Sequence, residues 1–175
     1  METLKIALVM LCLTLLVGCA SSQHAWSVEA WGEAENDVRS LGEIEVKDAV
    51  LPKRILGDKT PAEEAEWQKR WPALFADELC DGLNKEAGDQ GVKAAGVRKP
   101  APHTLVLKPD SLNVGGSAWS HGSVSGTAEI TRADGKLVVR LLFSWSETRG
   151  AGEPDVEVWL DNLGMQFARW LALHK

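Results

Sequence analysis

Tyrosine is absent from this 175-residue chain, and cysteine and phenylalanine occur three times each. So little cysteine excludes a disulfide scaffold: Cys12 and Cys19 lie near the amino end and leave Cys80 alone in the body. Cys80 follows Leu79 in an amphipathic stretch and is expected to be a small buried hydrophobe. Positive charge is also in short supply, with 19 basic against 25 acidic side chains and a formal net charge of −6. That balance disfavours nucleic acid and anionic lipid head groups as partners. The four histidines, His24, His103, His121 and His174, never stand four apart or beside a cysteine pair, so zinc-type spacing is missing.

The familiar catalytic signatures are missing too. Gly91–Gly96 has the glycine spacing of a phosphate loop but continues as Val97-Arg98, where lysine and a hydroxyl residue are required. In Gly122-Ser123-Val124-Ser125-Gly126 the centre of a would-be nucleophile elbow is Val124. Ser117, Ser120 and His121 are neighbours in sequence, whereas triads are brought together by folding. Among the carboxylates only Glu129 and Glu147, both on expected strands, stand out as a pair. The expectation is a chain that is not an enzyme and that uses no metal and no cofactor.

What the chain does contain is an apolar run at its amino end, Ile6–Val17. As a helix it would be about 18 Å long, against the ~30 Å of hydrocarbon a span must cross. Its flanks are those of an export signal: Lys5 and the chain amine before it, small residues after it. Leu16-Val17-Gly18-Cys19 resembles the bacterial lipoprotein signal, in which a cysteine at the end of the apolar region is lipidated and becomes the new amino terminus. The resemblance implies cleavage of residues 1–18 and acyl chains on Cys19 as the contact with the membrane, since two or more chains anchor a protein stably where one does not. Ala20 in place of an aspartate implies the outer membrane, facing the periplasm. The alternative is ordinary secretion, with cleavage after Ser22. In the lipoprotein reading residues 19–41 are anchor, tether and lead-in, and residues 42–175 form a single domain.

Tryptophan occurs eight times. Trp67, Trp71, Trp145, Trp159 and Trp170 fall in periodic patterns and are expected in the core. Trp26, Trp31 and Trp119 lie in less regular sequence and, with His121, are the candidates for a contact surface, because an exposed indole offers a large rigid area at low entropic cost.

The lead-in Ala25–Gly42 is expected to contribute an edge strand, and Ile44–Val50 a first full strand stopped by Pro52. Thr60-Pro61-Ala62-Glu63 reads as a helix start with a capping box, and apolar residues at helical spacing follow from Trp67 to Leu83. Pro72 predicts a kink there, or two helices meeting near Trp71. A short strand is expected at Val92–Ala94 and a clearer one at Thr104–Lys108. Val124–Ile130 and Leu137–Trp145 alternate about Asp134-Gly135 and predict a hairpin. After Gly150–Pro154, with Asp155 as cap, an apolar stripe from Val156 to Leu171 predicts a terminal packing helix.

This order predicts an α+β fold: a two-layer sandwich with helices on a mostly antiparallel or mixed sheet, preceded by a cleaved signal segment. Leu105–Leu107, Gly122–Ile130, Asp134-Gly135-Lys136 and the helix after Pro154 resemble bacterial envelope lipoproteins with a domain related to the amino-terminal part of TolB, a group that includes lipoprotein activators of penicillin-binding proteins. The resemblance implies a lipid-anchored module that binds an envelope protein. A second expectation is a transport-auxiliary protein holding a small apolar molecule or lipid between helix and sheet.

Overall fold

The computed structural model describes residues 25–53, 60–113, 121–148 and 156–174, without the side chains of His121, Glu147 and Thr148. The expected signal and Cys19 lie outside the described residues, as do Trp119, the Gly150–Pro154 break and the Asp155 cap.

The elements run β1 (Trp26–Trp31), a 3-10 helix (Glu35–Ser40), β2 (Glu43–Lys47), α1 (Pro61–Ala87), β3 (Ala95–Val97), β4 (His103–Asn113), β5 (His121–Arg132), β6 (Leu137–Thr148) and α2 (Val156–Leu173). The six strands form one mixed sheet in the order β1-β6-β5-β4-β2-β3. The pairs β1/β6, β6/β5 and β5/β4 are antiparallel, and β2 is parallel to both β3 and β4. The lead-in does supply an edge strand. The third strand begins at Ala95, three residues later than the pattern at Val92 indicated, because Val92 is used instead to close α1: its N–H donates to the Ala87 carbonyl.

Alternation decides which face of the sheet is dry. Leu105 and Leu107 on β4, Val124, Ala128 and Ile130 on β5, and Val139, Leu141 and Phe143 on β6 are all buried. They meet Phe75, Leu79 and Leu83 of α1 and Leu160, Leu163 and Phe167 of α2 in one core. The opposite face carries hydroxyl and charged side chains, among them Thr104, Lys108, Ser125, Thr127, Glu129 and Arg140. Val138 is the extra residue of a bulge in β6, where Ile130 pairs with Val139 and Thr131 with Leu137, and it is buried as Val139 is. The hairpin turn needs its glycine: Gly135 has φ of 83°, and Arg132 and Lys136 close the loop through a 2.9 Å backbone bond.

α1 starts as its sequence dictates. Thr60 Oγ1 accepts from the Glu63 N–H, and the Glu63 carboxylate accepts from the Thr60 N–H at 2.8 Å. Of the two alternatives at Pro72, two separate helices do not form, since one helix runs through it to Ala87. Proline removes one ladder bond and costs about 3 kcal/mol in a helix interior. Trp71, Phe75, Ala76 and Leu79, all buried on this stretch, outweigh that cost. The Pro72 carbonyl also accepts a bond from outside the helix, from the Ala49 N–H at 2.9 Å.

Candidate interaction surface

β1 enters the sheet at Ala25, whose carbonyl accepts from the Ser144 N–H at 2.9 Å. Its first residue, Trp26, is 2% exposed and packs between Phe143 of β6 and Phe167 of α2, with ring centroids 5.5 and 5.0 Å away. Its Nε1–H donates to the Leu163 carbonyl at 2.9 Å. Trp26 therefore belongs to the core, which corrects the expectation that it forms part of a contact surface. Its ring fills the seam between sheet and α2, and its single polar atom is satisfied there.

Trp31, at the other end of β1, is 42% exposed. A bulge at Glu29 shifts the register, so that Trp26 pairs with Phe143 and Trp31 with Val139. Trp31 thereby faces the helices and stacks against Trp170 of α2, with centroids 6.4 Å apart and planes at 29°. His174 completes the group at 4.3 Å from Trp170 and 6.0 Å from Trp31. The His174 Nδ1–H donates to the Trp170 carbonyl at 2.8 Å; because a carbonyl only accepts, this bond fixes the tautomer of the neutral ring. Leu173, 70% exposed, extends the apolar surface at the same helix end. The result is an aromatic ledge on the outer edge of the sheet, made rigid from below by the buried Trp170.

The remaining sequence candidates divide. Trp71, Trp159 and Trp170 are buried, and Trp67 and Trp145 are packed against the core, as their periodicity predicts. Trp145 and Trp159 have buried Nε1–H groups with no hydrogen-bond partner among the described residues. Trp119 lies outside the described residues, and only the backbone of His121 is described. The contribution of Trp170, His174 and Leu173 to the surface escaped the sequence reading, which assigned α2 to packing alone.

Elsewhere the charged groups form ties. Glu129 accepts from Lys108 Nζ at 2.5 Å and Arg140 Nε at 2.9 Å across three strands, and the Lys108 bond foremost holds its carboxyl below the ordinary range. A carboxyl held ionised in this way is a poor general acid. His103 lies 3.4 Å from Asp37, which also meets Arg132 at 3.5 Å, and this joins the 3-10 helix to the hairpin end of the sheet. Glu86, buried in α1, accepts from Arg169 of α2 at 2.8 Å. Among the described residues no group of three or more His, Cys, Asp or Glu side chains could hold a metal ion. No helix among them is long and apolar enough to cross a membrane.

No family model matches this chain, and no curated protein does. Solved structures similar to it include a PelC dodecamer from Paraburkholderia phytofirmans, 10% identical over 72% of this chain and 88% of that one, with a TM-score of 0.41. A protein from Xanthomonas campestris described by the family model DUF330 is 14% identical over 83% of this chain and 89% of that one, with a TM-score of 0.44. A minor lipoprotein from Acinetobacter baumannii is 12% identical over 77% and 94%, with a TM-score of 0.41. Likenesses of that size transfer no role.

Proposed function

We propose that this chain is a non-enzymatic envelope protein, tethered to the outer membrane by acyl chains on Cys19, whose α+β domain docks an envelope protein through the ledge of Trp31, Trp170 and His174. The observation that carries the docking reading is the exposure of Trp31 on an edge strand, held in place by stacking on a buried partner. A large aromatic side chain in a fixed orientation binds at low entropic cost, and tryptophan is prominent among residues that dominate interface energies. Among the described residues the edge of β1 away from β6 has no strand neighbour, and its backbone groups offer main-chain bonds to an added strand.

The tether reading rests on Leu16-Val17-Gly18-Cys19 and on the short passage from Cys19 to Ala25, six residues that reach at most about 21 Å. The ledge lies at the far end of β1, five strand steps or roughly 17 Å further along. A domain held at Ala25 would present it away from the bilayer. The likeness in element order to lipoprotein activators of penicillin-binding proteins supports the same reading.

Two experiments separate the parts. Cys19→Ser should abolish labelling by a fatty-acid analogue and release the body from membranes, and unchanged labelling would dispose of the anchor. Capture of the full chain from native membranes should enrich an envelope protein that Trp31→Ala loses and Trp67→Ala retains. Enrichment indifferent to Trp31 would dispose of the ledge.

A further inference from the structure

A half-open cavity of about 420 Å³ lies between the 3-10 helix, the segment that follows α1 and the last turn of α2. Its apolar lining comes from all three: Val38, Leu41, Val92 and Leu171. Arg39 and Lys93 complete it with two positive charges. Gly91, with φ of 60°, turns the chain back along this wall.

Most cations of the domain are paired, with Lys53 and Lys69 the other described exceptions. Arg98, Arg132, Arg140, Arg169, Lys85 and Lys108 each hold a carboxylate. Among the described residues Arg39 and Lys93 have no ion-pair partner, and none that lines the cavity is a carboxylate. The carboxyl ends of α1 and α2 both lie on this side of the domain and oppose an anion, each with the equivalent of about half a negative charge. Two full positive charges exceed that sum. Part of it is already met, because the Ala87 carbonyl accepts from the Val92 N–H and the Leu171 carbonyl from the His174 N–H.

We propose that this cavity binds a small single-chain amphipathic anion, with a carboxylate between Arg39 and Lys93 and a short alkyl chain against Val38, Leu41, Val92 and Leu171. The lining selects the class, since four apolar side chains on three walls of a half-open cavity fit a short alkyl chain. The charge selects the head group, since a cationic or neutral amphiphile of the same length leaves Arg39 and Lys93 uncompensated. The site is distinct from Trp31, which does not line it.

The test uses the full chain, purified in a neutral detergent, with methyl resonances of Val38, Leu41, Val92 and Leu171 as reporters. Sodium octanoate should shift these methyls saturably, 1-octanol should bind more weakly, and octylammonium should not bind. The double variant Arg39→Gln with Lys93→Gln should weaken octanoate about tenfold and leave octanol unchanged. Both changes are at exposed positions, so the variant keeps its fold, which the remaining methyl spectrum verifies. Absence of saturation by octanoate overturns the assignment, as does equal binding of octylammonium or undiminished binding by the double variant.

Discussion

Trp26 and Trp31 stand on the same face of β1 although they are five residues apart, because the bulge at Glu29 adds one residue to the count. In an unbroken strand an odd separation places two side chains on opposite faces. One bulge thus makes the first indole a core residue and the second an exposed shelf on α2. Trp26→Ala should cost about 3–5 kcal/mol of stability, as emptying a large buried site does. Trp31→Ala, removing a half-exposed ring, should cost less than about 1.5 kcal/mol. Urea unfolding of both variants checks this, and equal losses would mean that Trp31 is as structural as Trp26.

Gly82 and Gly164 meet where α1 and α2 cross. A Cβ on Gly164 would lie 2.5 Å from the Leu79 carbonyl oxygen and 3.0 Å from the Gly82 Cα, and one on Gly82 would run into the Asp161 carbonyl. Helix propensity alone favours alanine over glycine by about 1 kcal/mol. The backbones cannot give way without parting the helices, so Gly82→Ala and Gly164→Ala should instead each destabilise by about 1–3 kcal/mol. A thermal midpoint that rises in either variant would refute the close crossing.

The pair Glu86–Arg169 carries a pH dependence of known sign. The Arg169 hydrogen bond is the largest influence on Glu86 and, with Gln90, lowers its pKa from 4.5 in spite of burial. The folded state therefore binds the Glu86 proton less readily than the unfolded one. The pair stabilises fully above pH 4.5, and its contribution disappears as pH falls through the lower folded value. Arg169→Gln should be about 1 kcal/mol less stable at neutral pH, a figure kept small by the exposure of Arg169. Its stability should also fall less steeply as pH drops below about 4.5. Parallel pH profiles for variant and parent would contradict this.

Cys80 is sealed between α1 and β3, where a Cβ on Gly96 would sit 3.2 Å from its Sγ. Burial pushes the thiol up to about 11, with Arg98 pulling weakly the other way. Little thiolate exists at neutral pH, and what exists is shielded. Peptide mapping after iodoacetamide treatment at pH 8 should show Cys80 modified at least about a hundredfold faster in urea than in the native chain. Comparable rates would show the site to be open. Because the folded pKa is the raised one, this thiol also stabilises the fold up to pH 9 and ceases to do so as pH rises towards 11.

The elements that could be read from residues are those whose signals are local. The Thr60 capping box, the Asp134-Gly135 hairpin and the apolar stripe of α2 each occupy a few adjacent turns or strands, and each formed as its pattern dictates. Pro72 left open whether one helix or two would form, because that is set by what the helix buries on either side, which only the tertiary structure decides. Trp26 misled for a different reason: a bulge leaves no composition signal, and without it the alternation of Trp-Ser-Val-Glu-Ala-Trp cannot be phased. The ledge was half legible. Trp31 stood out by its irregular context, while Trp170 and His174 join it only because the sheet order sets β1 beside α2.

The entry of the chain at Ala25 has a mechanical consequence. A pull delivered through the preceding residues and directed along β1 loads its bonds to β6 in shear, so that several must yield together rather than one after another. Trp26 sits at the point of loading, with its ring wedged between Phe143 and Phe167 and its Nε1–H fastened to α2. Tension would reach both layers at once, and the strand nearest the attachment would be among the last to peel away.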